Sequence, residues 1–364
     1  MNKLPKNWQE YKLKDLCVIN YGKGLGKSNI VNGNIPVYSS GGIIGFHNTY
    51  NVNSEGVIIG RKGNAGSVFY SDKPFFCIDT AFYIEPNNQY DLKYLFYKLV
   101  SMNLKNHKTG TAIPGLIRND IYKLSISIPP LDEQKRIASA LSKIDAYLEN
   151  TIKLIEEKER FKRGIAKKLL TCKEGENIPE ARFKDFEDEW ETKTLNSISN
   201  IKKGEQKNKL DLIADGKYPV LNGGMNFSGY CNSYNREANT ITISEGGNAG
   251  YVNFIKEKFW SSGHCYTLHD LKIDKYFLYQ CLKNSEKRLM KLQLGTALKN
   301  IRQSEIVEFE LNIPKSIKEQ EKIGGYLSLL DAEIDNLKKQ KELIKEMKRG
   351  AMQKLLSGEV RLLE

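Results

Sequence analysis

From Leu131 to Leu170 apolar side chains recur at Ile137, Leu141, Ile144, Leu148, Ile152 and Ile155, with Lys, Glu and Arg between them. Steps of three and four keep these positions on one side of a helix. The stretch holds no proline and one glycine, Gly164, so nothing in it argues for a break before Thr171. Forty helical residues would extend about 60 Å. A stripe this narrow on so long and charged a helix asks for one partner helix.

Ser316 to Leu356 supplies that partner, with Ile323, Leu327, Leu330, Ile334, Leu337 and Ile344 in the same rhythm. Glu133-Gln134 matches Glu319-Gln320, Ile137 matches Ile323, Asp145 matches Asp331 and Arg163-Gly164 matches Arg349-Gly350, all 186 residues apart. Ser316 and Glu319 have the spacing of a capping box, and Gly358 suits a C-terminal stop.

The repeat extends upstream of both helices. Trp8 pairs with Trp190, Leu13 with Leu195, Gly22 with Gly204, Pro36-Val37 with Pro219-Val220 and Tyr50 with Tyr234. GNAG at 63–66 recurs at 247–250, and Gly110-Thr111-Ala112 recurs as Gly295-Thr296-Ala297. A period near 180 residues is a duplicated domain rather than a solenoid.

Within the first copy, Val37-Tyr38, Val57–Ile59, Ser67–Tyr70, Ala81–Ile84 and Leu124–Ile128 read as short strands separated by Gly, Asn, Ser and Pro. Leu13–Tyr21 reads as a short helix or strand. Asp91–Met102 reads as a helix with Leu92, Leu95, Phe96, Leu99 and Val100 inward, and Pro129-Pro130 stops the last strand. The second copy repeats the order with strands at Pro219–Leu221, Thr240–Ser244, Tyr251–Ile255, Cys265–Leu268 and Val307–Ile313, and a helix at Ile273–Leu282. The expected fold is α+β, a mixed α/β tandem repeat with pseudo-two-fold symmetry. Two similar domains, 1–130 and 190–315, are joined by two long antiparallel coiled-coil helices, 131–171 and 316–358. A linker covers 172–189 and a tail 359–364.

Composition adds a partner class. A formal charge of +12, from 56 Lys and Arg against 44 Asp and Glu, points to a polyanion. Six scattered cysteines without a C-x-x-C pair, and four histidines without ligand spacing, fit reduced thiols in a cytoplasm better than disulfides or zinc. The N-terminus shows no apolar signal region and no 18-residue apolar run exists, so export and membrane spanning are not expected.

Enzyme motifs fail. GKGLGKS at 22–28 lacks the glycine a phosphate loop needs, because Tyr21 stands there, and the second copy does not repeat it. Ile128-Pro129-Pro130-Leu131 shares only its prolines with the catalytic loop of adenine methyltransferases. Asp79 and Glu245 stand in non-equivalent places and have no patterned lysine nearby for a nuclease site.

PPLDEQKRIASALSKID at 129–145, PEARFKDFEDEW at 179–190 and KRGAMQKLLSGEVRL at 348–362 together resemble type I restriction–modification specificity subunits. The resemblance covers the whole chain, with Pro314-Lys315 departing from Pro129-Pro130. It implies a non-catalytic subunit with two target-recognition domains, each reading half of a bipartite double-stranded DNA site. The paired helices would set the spacing between half-sites and dock two methyltransferase subunits. A restriction and translocation subunit would complete the complex. The resemblance also implies no cofactor in this chain, with S-adenosylmethionine, ATP and magnesium on the partner subunits. A stand-alone duplicated DNA-binding or architectural protein is the alternative, and a DNA-cleaving enzyme a more distant one.

Base edges are read by Arg, Lys, Asn and Gln, and phosphates by Lys, Arg and backbone amides. In the first domain the residues expected at DNA are Arg61, Lys62, Asn64, Lys108, Thr109, Thr111 and Arg118. In the second they are Lys203, Gln206, Lys207, Asn248, Lys299, Asn300 and Arg302. Arg61-Lys62 becoming Glu245-Gly246 marks a place where a change of target base could reside, although GNAG could recur only because its turn needs glycines. The two domains differ most in their loops, as two different half-sites would require; identical halves would imply a palindrome.

Overall fold

The protein is described from a computed structural model that covers residues 5–26, 33–108, 115–295 and 299–362. The chain forms two compact units, Met1–Ile152 with Lys339–Glu364, and Lys153–Lys338. Both boundaries fall inside a long helix, so each unit holds one recognition domain and a stretch of both helices.

In the first unit β1 (Gln9–Lys12) pairs antiparallel with β9 (Ser125–Ile128), and α1 (Leu13–Leu16) follows β1. The main sheet is antiparallel, in the order β2 (Asn20–Tyr21), β8 (Ala81–Ile84), β5 (Gly56–Gly60), β6 (Val68–Ser71). A smaller sheet places β3 (Ile35–Ser39) between β4 (Gly42–His47) and a parallel partner, β7 (Phe76–Cys77). Strand β5 is buried throughout, and its side chains alternate between two layers. Val57 and Ile59 join the main core with Leu95, Leu99, Ile137 and Leu141, whereas Ile58 packs with Tyr38, Val52 and Phe75. Helix α2 (Leu92–Ser101) buries Leu92, Tyr94, Leu95, Tyr97 and Leu99. Val100, expected inside, is exposed. The tyrosines displace it because one of them has a partner on the long helix: Tyr97 Oη donates to Asp145 Oδ2 at 2.7 Å.

The second unit repeats this plan. Strands β10 (Glu191–Thr194) and β18 (Glu310–Ile313) pair antiparallel, with α5 (Leu195–Ile198) after β10. The main sheet runs β11 (Asn200–Lys203), β17 (Cys265–His269), β14 (Thr240–Ser244), β15 (Val252–Ile255). Beside it β12 (Tyr218–Leu221) lies between β13 (Gly229–Cys231) and β16 (Trp260–Ser261). The helices are α6 (Lys275–Asn284), α7 (Glu286–Met290) and α8 (Gln303–Val307). Val307 closes α8 instead of opening the last strand.

The long helices are α4 (Leu131–Leu170) and α9 (Ile317–Ser357). They pair antiparallel in each unit. In the second, Lys162 meets Asp331 at 2.5 Å and Lys158 meets Glu333 at 2.7 Å. In the first, Lys348 meets Asp145 at 2.5 Å and Arg136 Nε donates to the Leu362 carbonyl at 2.7 Å. The stripe is interrupted at Ile152, which is exposed while Thr151 and Ile155 are buried.

The repeated Glu-Gln pair is what locks each recognition domain to its helix. Gln134 Oε1 accepts from the Asp91 amide at 2.9 Å, and its Nε2 donates to the Pro129 carbonyl at 2.9 Å. Asp91 in turn caps α2 by accepting from the Tyr94 amide at 2.8 Å. Gln320, Asp274, Pro314 and Phe277 reproduce the arrangement on α6. Glu133 accepts a two-pronged bond from Arg361, at 2.6 Å to each oxygen, and Glu319 the same from Arg182 at 2.8 Å. Glu319 therefore does not close the expected capping box. Its carboxylate, 1% exposed, is turned to Arg182 and to Trp190 Nε1 at 3.3 Å. For the same reason 172–189 is no free linker, since Arg182 is anchored and Ala181 and Phe183 pack on the core.

Candidate nucleic-acid interface

Strand β5 ends in a turn, Arg61–Gly66, closed by the Gly66 amide donating to the Gly60 carbonyl at 2.8 Å. Gly63 and Gly66 have φ of +73° and +84°. A Cβ on Gly66 would stand 2.5 Å from the Lys105 amide nitrogen. Ala65 is buried and Asn64 exposed. The second unit matches: the Gly250 amide donates to the Ser244 carbonyl at 2.8 Å, with φ of +72° and +86° at Gly247 and Gly250. The glycines and alanine of GNAG thus build the turn, and its only exposed side chains are those of Asn64 and Asn248. Gly66→Ala is expected to lose about 1–3 kcal/mol of stability from backbone conformation alone, with the clash at Lys105 added. Asn64→Ala should leave thermal stability unchanged, and equal losses for both would remove this division of roles.

Backbone bonds set the equivalences between the two domains. The Arg61 amide donates to the Thr80 carbonyl at 2.9 Å and its carbonyl accepts from Leu116 at 2.8 Å. Glu245 makes the same two bonds with His264 and Ile301, at 2.9 Å each. Tyr21 pairs with Phe82 in the sheet as Lys203 pairs with Tyr266. Arg118 Nη1 donates to the Ile19 carbonyl at 3.4 Å, and Gln303 Nε2 to the Ile201 carbonyl at 3.1 Å. The counterpart of Arg118 is therefore Gln303. Arg302, expected in that role, sits one residue earlier as the exposed N-cap of α8, where the first domain has Ile117 as the N-cap of α3 (Arg118–Tyr122).

In the first domain the structure brings Arg61 and Arg118 together on one ring. Their guanidinium carbons stand 5.0 and 4.7 Å from the centroid of Tyr21. Arg61 also reaches Phe82 at 5.8 Å and donates to the Asp79 carbonyl at 3.1 Å. Lys62 is exposed and bridges Gly115 through its backbone. Lys108 is exposed after the short helix Leu104–His107, on which Gly66 rests. Thr109 and Thr111 lie outside the described residues.

In the second domain Lys203 Nζ reaches Glu245 Oε1 at 2.5 Å, and Tyr266 Oη donates to the same oxygen at 3.1 Å. His264 Nδ1 stands 3.3 Å from Oε2. Burial pushes the Glu245 carboxyl up, but the donors Lys203 and Tyr266 outweigh it and hold the group below the usual carboxylate range. Gly246 lets the Asn300 side chain approach, since a Cβ there would stand 2.7 Å from Asn300 Oδ1. Asn300 and Lys299 are exposed beside it. Gln206 lies against Gly263, and Lys207 Nζ stands 3.5 Å over the Trp260 ring. Sequence reasoning missed Tyr21, Trp260, His264 and Gln303. Matching Tyr21 to Lys203 at the 182-residue spacing of Gly22 and Gly204 would have found the first.

Among the described residues no three His, Cys, Asp or Glu side chains stand close enough to hold a metal, and no described helix is long and apolar enough to cross a membrane. The exposed features are paired cations, aromatic faces and amides on a duplicated scaffold.

Comparison with known proteins gives this scaffold its family. The model of the type I restriction modification DNA specificity domain matches residues 5–157 and 187–346. The chain belongs to that family. It is 40% identical over 151 residues to a protein of Mycoplasma pneumoniae assigned as a type I specificity subunit, covering 41% of this chain and 40% of that protein. A Mycoplasma genitalium protein with the same assignment is 33% identical over 171 residues, 46% of this chain and 45% of its own length. The chain thus spans less than half of either Mycoplasma relative. The specificity subunit of the MjaVIII type I restriction enzyme of Methanocaldococcus jannaschii matches over 342 residues at 27% identity, 85% of this chain and 80% of that protein. The crystal structure of a type I restriction–modification S subunit from M. genitalium has the same fold, with a TM-score of 0.75 over 97% of each chain at 24% identity.

Proposed function

We infer that this chain is the DNA-specificity subunit of a type I restriction–modification complex, in which each domain reads one half of a bipartite site. The carrying observation is the pair of identical turns, after β5 and β14, that present different side chains at equivalent positions. A shared backbone that carries Arg61 beside Tyr21 in one copy and Glu245 beside Lys203 in the other can meet one duplex twice and read two sequences. The +12 charge supplies the sequence-independent attraction to phosphates.

The long helices are the spacer and the docking platform for two methyltransferase subunits. Supporting the second role, Leu154, Phe161 and Leu329 in one unit, and Tyr147, Leu343 and Met347 in the other, stand exposed on these helices. The subunit itself is non-catalytic and holds no cofactor. S-adenosylmethionine, ATP and magnesium act on the methyltransferase and on the restriction and translocation subunit, and the complex works in the cytoplasm.

The test is to express the chain with its methyltransferase partner in a methylation-free host and to sequence modified DNA. A two-part site should emerge with both subunits, and adenine methylation by this chain alone would overturn the reading. Arg61→Ala should relax base preference in one half-site by about tenfold or more, as expected for one lost bidentate contact. The other half-site should be unchanged, and an equal loss in both would overturn the assignment of one domain to each half.

A further inference from the structure

At one place on the duplicated sheet the cation changes strands between the two domains. In the first, the β2 position carries Tyr21 and the turn after β5 carries Arg61, stacked at 5.0 Å. In the second, the β11 position carries Lys203 and the turn after β14 carries Glu245, paired at 2.5 Å. Beneath them lie Phe82 and Tyr266, 5.8 Å from the Arg61 guanidinium and 5.9 Å from the Lys203 ammonium.

Resting on the half-site reading above, we propose that Tyr21–Arg61 and Lys203–Glu245 are equivalent specificity-determining pairs. Lys203 is the base-contacting member of the second, and Glu245 is a positioning residue that does not touch DNA.

Exposure separates the two roles. The Lys203 side chain is 49% exposed and that of Glu245 only 14%. Glu245 Oε1 already accepts from Lys203 and Tyr266, while Oε2 is closed to solvent and faces His264. A carboxylate with one oxygen saturated and the other covered cannot accept a base amino group. It can hold an ammonium in place, as the ring of Tyr21 holds the guanidinium of Arg61. The chemistry offered to DNA then differs. Arg61 presents a planar fork that fits guanine O6 and N7 together, whereas Lys203 presents a point donor that fits any major-groove acceptor. The first half-site should therefore specify guanine at the position Arg61 contacts. The equivalent position of the second should accept guanine, thymine and adenine, whose O6, O4 and N7 are all acceptors, and reject cytosine, which offers only a donor there.

The experiment uses the chain assembled with its methyltransferase subunits, with sequencing of methylated sites as the readout. Glu245→Gln and Lys203→Ala should each relax the same position of the second half-site by about tenfold, and the double variant should do no more than Lys203→Ala. Additive losses, or a new base selected in Glu245→Gln, would make Glu245 a reader and overturn the proposal. The triple exchange K203Y/E245R/Q303R should convert that position to guanine, and an assembled triple variant that keeps its original preference also overturns it. Should the triple variant fail to assemble, the double-variant comparison decides. A wild-type complex without any selected site would instead sink the half-site reading itself.

Discussion

Glu319→Ala is expected to lower the unfolding free energy of the 153–338 unit by about 3–5 kcal/mol, the usual consequence of stranding one member of a buried ion pair. Arg182 would keep its charge at a position where its side chain is 12% exposed, facing a hole in place of a carboxylate that is 1% exposed. Trp190 Nε1 would lose its acceptor in the same step. Glu133→Ala should do the same to the other unit, because Arg361 approaches Glu133 in the same way with side-chain exposures of 18% and 2%. Denaturant unfolding of each variant reads the loss. The double variant Glu319→Ala/Arg182→Met should recover much of it, since an apolar pair leaves no buried charge behind. A loss below about 1 kcal/mol, the range of exposed ion pairs, would show that water reaches the site.

This pair also shows how far the sequence could be read. The apolar stripes of α4 and α9 and the 186-residue spacing between Glu133-Gln134 and Glu319-Gln320 announce two long helices and a duplicated domain. Such signals are visible because they repeat in period and in register. The role of the repeated pair was not visible, because Arg182 and Arg361 lie 137 and 228 residues from their carboxylates. Local spacing instead suggested a capping box at Ser316 and Glu319. Val100 misled in a similar way: its hydrophobicity fits the inner face of α2, but Tyr94 and Tyr97 take that face, Tyr97 with Asp145 of the long helix as its partner.

At the candidate interface, the candidates at the turn and on the flanking strand, Arg61 and Lys203, were legible because cations beside glycines stand out. Their partners were not. Tyr21 beneath Arg61 and Arg118 looks in the sequence like any aromatic, and Glu245 looks like a substituted reader rather than a brace for Lys203. Gln303 as the match of Arg118, by contrast, was within reach: Gly110 and Gly295 stand 185 residues apart and the same step carries Arg118 to Gln303, whereas the 184-residue step of the GNAG turns lands on Arg302.

Both unit boundaries fall within the long helices, at 152/153 and 338/339, which sets up the sharpest test of their role as a spacer. Seven residues inserted at both places should lengthen the helix pair by about 10.5 Å and turn it by only about 20°. At about 3.4 Å per base pair the methylated site should then gain roughly three base pairs between its halves, with both half-site sequences unchanged. Insertion at 152/153 alone should abolish methylation, because a single lengthened helix cannot keep Lys162 on Asp331 and Lys348 on Asp145 together. A double-insertion complex that methylates the original spacing would show that something other than these helices sets the distance between the half-sites.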